Sequence, residues 1–218
     1  MPGEKQQACH VDTEILFLEH ARRKWVCKLL ESGYLQSRTM RMTSETTLPA
    51  STGPAPVNAQ DFRDGMARLG GAVHLVTSDG SRGWAGFAAS AVCSVTDDPP
   101  TLLVCLRRDS SAHAAVTGNG VLCVNTLEAD HQALSTLFGG KTPMDTRRAA
   151  ADWSRLATGA PVLADARVAF DCRIARSVGM GTHDVLFCEV LAVAHGSAAH
   201  GGLYYTERQY RQLAPLPA

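Results

Sequence analysis

The sequence predicts a mainly β fold with a few short helices, arranged as an antiparallel barrel. Three observations carry this expectation. Six apolar, strand-like runs recur at regular spacing beyond residue 70, and turn signals rather than long helices separate most of them. The clearest run alternates, with Val168, Phe170, Cys172 and Ile174 on one face and Arg167, Asp171 and Arg173 on the other. A doubly wound parallel sheet would need a long crossover, usually a helix, between successive strands, and the chain has too few helical stretches to supply them.

At 218 residues, with 45% apolar and 19% charged content, the chain can build one sizeable core rather than two. Lysine plus arginine equal aspartate plus glutamate at 21 each, so no global field favours nucleic acid or an anionic membrane. The expected ligand is a small molecule. There are seven cysteines and no CxxC; Cys93, Cys105, Cys123, Cys172 and Cys188 all lie in apolar runs. They read as buried thiols in a reducing cytosol, not as a disulfide or metal framework. The other histidines show no metal spacing, and no GxSxG marks a hydrolase nucleophile. No apolar run has the length of a membrane span and no signal-peptide core is evident, so a soluble, cytoplasmic protein is expected.

Leu18, Ala21, Trp25 and Leu29 have helical spacing, and Gly33 follows as a C-cap, so Glu14 to Ser32 predicts an amphipathic helix. Thr43 to Val57 is rich in Ser, Thr, Pro and Ala and reads as a disordered linker. Met40 and Met42 precede it, leaving open both a real N-terminal extension and a native start at one of these methionines. The domain expected to act is 58–218, with 1–57 as extension and linker. Asn58 can N-cap a helix whose apolar face is Phe62, Met66 and Leu69. The strand runs are Ala72 to Thr77, Trp84 to Val95, Thr101 to Leu106, Val121 to Thr126, Arg167 to Val178 and Asp184 to Ala194. Short helices are expected at Ser110 to Thr117, Asp130 to Leu137 and Asp145 to Trp153.

Four stretches carry chemistry. In Gly86 to Pro100, the small residues Ala88, Ala89, Ser90 and Ala91 would let a flat ligand approach the backbone, or would let a helix pack closely. In Cys105 to His113, Arg107, Arg108, Ser110 and Ser111 combine guanidinium and hydroxyl groups at the start of a helix, which suits a phosphate; a solvated arginine pair beside a serine N-cap is the plainer alternative. FGGKTPM, Phe138 to Met144, has the Gly-Lys-Thr of a P-loop, but Ser135 replaces the first glycine, a helix precedes the loop and Pro143 removes a donor. The P-loop is therefore rejected. VGMGTHDVLF, Val178 to Phe187, has two of the three glycines of a dinucleotide fingerprint but leads into another strand, so it reads as a hairpin turn with His183 at its end.

Taken together, GFAASAVCSVTDDPPTLLVCL, VLCVNTL, LFGGKTPM, FDCRI and GTHDVLFCEV resemble the short-chain flavin reductases, a resemblance covering about two-thirds of the chain from Phe62 to Leu213. The Gly-Thr-His-Asp form is most similar to the branch serving bacterial pyrimidine utilisation, although Ala88 stands where many relatives carry threonine. The resemblance implies an FMN-binding split β-barrel of the Greek-key type, assembled as a homodimer. It implies NADH-dependent reduction of FMN, by hydride transfer from nicotinamide C4 to flavin N5, with reduced FMN passed to a partner monooxygenase of pyrimidine (uracil) catabolism. FAD and NADPH are the alternative flavin and reductant. By the same resemblance Ala88, Ala89, Ser90, Ala91 and Val92 line the isoalloxazine edge. Ser94, Arg107, Ser110 and Ser111 hold ribityl and phosphate, and Phe138, Gly139 and Lys141 belong to the pocket wall. His183, the catalytic candidate, sits near the nicotinamide. The alternatives are a split-barrel flavoprotein of other activity and a non-catalytic subunit of a monooxygenase.

Overall fold

Asn58 opens the domain as its sequence requires: its Oδ1 accepts from the amides of Gln60 and Asp61 at 2.9 Å each, capping helix α1, Ala59–Arg68. The computed structural model describes residues 53–197 and 201–212. The helix expected at Glu14 to Ser32, the candidate starts Met40 and Met42, and most of the linker lie outside the described residues. The chain divides into Met1–Pro54 and Ala55–Ala218, and the elements below belong to the second unit.

Strands β1 (Gly71–Ala72), β2 (His74–Ser78), β3 (Ala85–Ala89), β4 (Val92–Asp97) and β5 (Pro100–Arg107) follow α1. Helix α2 (His113–Asn119) leads into β6 (Val121–Thr126), and a 3-10 turn (Ala129–His131) into α3 (Gln132–Gly139) and α4 (Met144–Ala149). The small hairpin β7 (Trp153–Arg155) and β8 (Pro161–Leu163), the long hairpin β9 (Val168–Met180) and β10 (His183–His195), and the hairpin β11 (Leu203–Thr206) and β12 (Gln209–Gln212) complete the described chain.

Seven strands form one antiparallel sheet in the order β3-β2-β6-β9-β10-β5-β4. Its two edge strands, β3 and β4, are consecutive in the chain and separated only by Ser90 and Ala91. Laid flat, the sheet would hold its edges about 29 Å apart at ~4.8 Å per strand. A two-residue link spans at most about 11 Å. The sheet therefore curls until its edges meet, joined by the chain and not by a ladder. This is a split barrel, and the mainly β expectation holds with one correction: the run Trp84 to Val95 is two strands, at opposite edges of one sheet.

Alternation sorts the core into two layers. Val76, Leu122, Val124, Cys172, Leu186 and Cys188 point into the barrel, while Leu75, Cys123 and Ala169 turn outward against Phe138, Val162 and Leu163. β2 is buried on both faces because α3 and the β7–β8 hairpin cover its outer side. Phe138 stacks edge-on with Trp84 and tilts against Trp153, with ring centroids 6.1 Å away in both cases. A Cβ on Gly86 would stand 2.7 Å from Phe138 Cε1 and 3.0 Å from the Trp84 ring, so this small residue serves close packing of β3 under α3.

Other expectations shift. Phe62 and Met66 lie in α1 and Leu69 caps its end, but they are 59%, 46% and 68% exposed, Met66 and Leu69 lining an open groove toward Val92 of β4 without filling it. Helix α2 begins at His113, since Ser110 and Ser111 are held in a turn by Ser110 N–H donating to Arg107 O at 3.1 Å. Helix α3 continues through Gly139, taking in two residues expected in the loop, and α4 stops at Ala149 so that Trp153 can open β7. Cys123, Cys172 and Cys188 are free and buried as expected, and burial drives all three thiols upward, Cys188 to about 12. Cys105 is only half-buried, and Cys93 is exposed because it sits on edge strand β4.

Candidate functional site

β3 has a strand on one side only. In an antiparallel ladder alternate residues turn both peptide groups toward the partner and the next residues turn both away. Along its free edge β3 therefore offers N–H and C=O groups that no strand satisfies. Ala88 and Ala89 at this edge, with Ser90 and Ala91 of the link to β4, line a cleft of about 610 Å³, and Ala91 O accepts from Cys105 N–H at 3.1 Å. Their methyl and hydroxymethyl side chains leave the backbone approachable, and Gly139 lies across from Ala88 with its virtual Cβ 4.0 Å from the alanine methyl.

The opposite wall comes from the end of β5 and the turn after it. Arg107, Ser110 and Ser111 all line the cleft. Arg107 is not a free anchor: its Nε and Nη2 donate to both carboxylate oxygens of Asp109, at 2.9 and 2.5 Å. That hydrogen bond from Arg107 holds the exposed Asp109 carboxyl below the usual range.

His183 enters from the β9–β10 turn. Gly181 takes φ +55°, and Thr182 O accepts from Arg108 N–H at 3.1 Å, which ties the turn to the end of β5. The imidazole Nδ1 lies 2.9 Å from Thr182 Oγ1. The next residue, Asp184, anchors the same turn from behind, with Oδ2 2.7 Å from His113 Nε2 and Oδ1 accepting from Arg108 Nε at 2.8 Å. Hydrogen bonds from His113 and then Arg108 hold the Asp184 carboxyl below the usual carboxylate range.

The third wall follows α3. Gly139, Gly140 and Lys141 line the cleft; Lys141 is exposed and has no carboxylate partner among the described residues. Phe138 reaches the same cavity from below but is 1% exposed and belongs first to the core. The structure does not bring every expected residue together. Val92 lies outside this cleft and lines a different groove of about 870 Å³, between α1 and β4, while Ser94 is exposed on β4 and lines neither. Both follow β4 away from the split.

One cleft residue escapes sequence reasoning. Arg147 is 3% exposed and donates from Nη1 to Gly86 O and from Nη2 to Gly140 O, each at 2.7 Å. An arginine pair ending a short helix reads as a solvated charge, and nothing local in the sequence signals that one member is buried.

A concave site that joins an unpaired peptide edge to cationic walls is built for a flat ligand that carries an anion. Comparison with known proteins gives that class its family. The flavin reductase like domain matches residues 66–214, and the chain belongs to this family. It is 58% identical over 176 residues to the FMN reductase (NADH) RutF of Variovorax paradoxus, covering 81% of this chain and 97% of that protein. A crystal structure from Haemophilus somnus 129pt, described only provisionally as a flavin reductase, shares 44% identity with a TM-score of 0.69, covering 72% of this chain and all (100%) of the other. BorF, the flavin reductase component of a bacterial two-component tryptophan halogenase, shares 28% identity with a TM-score of 0.67 over 72% of this chain and 99% of its own.

Proposed function

We propose that this chain is an NADH-dependent FMN reductase whose reduced FMN serves a separate flavin-dependent monooxygenase of pyrimidine (uracil) catabolism. The observation that carries the reading is the convergence, in one cleft, of the free edge of β3, the cations Arg107 and Lys141, and His183. The residues fit the flavin. The free edge of β3 at Ala88 and Ala89 would offer peptide groups to the ring edge, with Ser90 and Ala91 lining the cleft beside it, while Ser110, Ser111 and Lys141 are available to ribityl and phosphate and Arg107 would have to share its guanidinium with Asp109. Val92 and Ser94 are left out of these contacts.

FMN supplies the electron-accepting ring, and NADH supplies the hydride. The protein supplies geometry. Small side chains on β3 would leave room for flat rings, His183 at the end of the hairpin turn would approach the nicotinamide, and Lys141 would favour the phosphorylated ligand. No acid–base pair is required of the chain, because the proton that completes reduction comes from solvent.

Further parts of the reading have their own supports. A homodimer is favoured by the exposed apolar side chains Phe62 on α1 and Leu69 just beyond it. A cytosolic location fits the free buried thiols. The reductase domain is proposed to be 58–218. Anaerobic mixing of the protein and FMN with NADH should bleach the visible flavin absorption, and NADPH and FAD provide the competing arms. Absence of protein-dependent bleaching with every pair would overturn the reading.

A further inference from the structure

Arg147 holds a charge where burial makes charge costly. Its guanidinium sits 5.9 Å from the Phe138 ring centroid, Nε has no hydrogen-bond partner, and no carboxylate pairs with it among the described residues. An apolar side chain of similar length would avoid that penalty but leave the carbonyl of the buried Gly86 without this donor, so the arginine's worth lies in the bonds it makes. What the guanidinium does is geometric. Its two terminal nitrogens reach Gly86 O on β3 and Gly140 O beside Lys141, two walls of one cleft carried by segments 54 residues apart, and hold both at 2.7 Å. A planar fork does this with one side chain, whereas an ammonium on a flexible stem does not fix two directions at once.

We propose that Arg147 is a positioning residue of the flavin site: it clamps the Gly139–Lys141 segment to β3 and thereby sets where Lys141 stands over the cleft. The proposal rests on the FMN reading for its ligand, but the clamp itself is testable without one. Gly140 is exposed and follows the last turn of α3, so the guanidinium supplies much of its anchorage. Without the clamp the Lys141 ammonium would range over the mouth of the cleft, and the phosphate would lose a fixed partner while the ring would not.

The test uses the full chain with Arg147→Met and Arg147→Lys, and reads amide hydrogen exchange across Gly139–Thr142 together with the affinities for FMN and riboflavin by fluorescence quenching. In Arg147→Met, exchange in that segment should rise about tenfold or more, as for a local opening. FMN affinity should fall about tenfold and riboflavin affinity less than threefold, because only FMN carries the phosphate. Arg147→Lys keeps the charge but loses the fork, so its segment should still exchange faster than wild type, and it carries the test if Arg147→Met does not fold. A folded Arg147→Met with wild-type exchange and an unchanged FMN-to-riboflavin ratio overturns the proposal. So does an Arg147→Lys protein that matches wild type in both, since charge alone would then suffice. If the wild-type chain binds neither flavin, the functional reading falls, and the exchange data still decide whether the clamp exists.

Discussion

His183 stands directly opposite Arg107 across the β5–β10 ladder, and both line one cleft. Register fixes this neighbourhood, so the imidazole's place does not depend on a mobile loop tip. If that place is beside the reductant, His183→Ala should lower kcat/KM for NADH by the equivalent of about 1–3 kcal/mol while FMN affinity stays within a few-fold. Steady-state kinetics alongside flavin titration separate the two. Collapse of FMN binding with normal turnover at saturation would assign the histidine to the flavin instead.

If Lys141 faces the phosphate as proposed, Lys141→Met should weaken FMN binding and make the remainder less sensitive to salt, because it removes an exposed positive charge. Binding isotherms at low and high ionic strength measure this. FMN should raise Tm, whereas ATP with magnesium should leave it unchanged, since Lys141 follows a helix and no strand precedes its loop. Equal stabilisation by ATP would restore the P-loop.

His74 gives the fold a pH dependence of known sign. Burial in β2 holds its imidazole down at about 4, beside Thr126 Oγ1 at 3.0 Å, against about 6.5 in the unfolded chain. The unfolded state binds the proton first on acidification, so this contribution to stability is fully present above pH ~6.5 and is lost as pH falls from there through ~4. The loss amounts to roughly 3 kcal/mol over that window. Urea unfolding of wild type and His74→Gln at both ends of the window should show a steeper decline for wild type; parallel declines would mean the site opens to water before it titrates.

Gly86→Ala should destabilise by about 1–3 kcal/mol, as overpacking does, because its new methyl would meet Phe138 and Trp84. Gly65→Ala is the matched control. Gly65 lies within α1 with nothing inside 4 Å, and alanine there should stabilise by about 0.5–1 kcal/mol. Loss of stability at Gly65 would show that α1 packs more tightly than its exposed faces indicate.

A chain beginning at Met42 should fold and reduce FMN as the full chain does, since the proposed reductase domain lies wholly downstream. Turnover and Tm compare the two. A large loss of either would make the upstream segment part of the working domain.

The sequence made β9 plain because its alternation runs through Val168, Phe170 and Cys172, and it placed Gly181 in a turn because glycines with no following helix leave few other roles. It hid the break at Ser90 and Ala91, since neither glycine nor proline marks it and both flanks are strand-forming. It also hid the turn between β11 and β12, where Glu207 and Arg208 take φ of 51° and 59° in place of the usual Asn-Gly. The cleft was legible where small or glycine-rich stretches formed it. Arg147 was not, because burial of a charge is decided by partners distant in sequence, here Gly86, and no local pattern records them.

The unladdered edge of β3 has a consequence for how this protein can vary over generations. If, as proposed, this wall meets the flavin through peptide groups, it asks of Ala88 and Ala89, and of Ser90 and Ala91 just beyond the strand, only that they stay small. Alanine, serine, glycine and threonine can replace one another there with the recognising atoms unchanged, because those atoms are common to every residue. Lineages can therefore diverge along this strand and keep the same ligand, and a search for the site by fixed side-chain identity would pass over it. What selection can see at these positions is bulk, and a single leucine would be more damaging than several exchanges among the small residues.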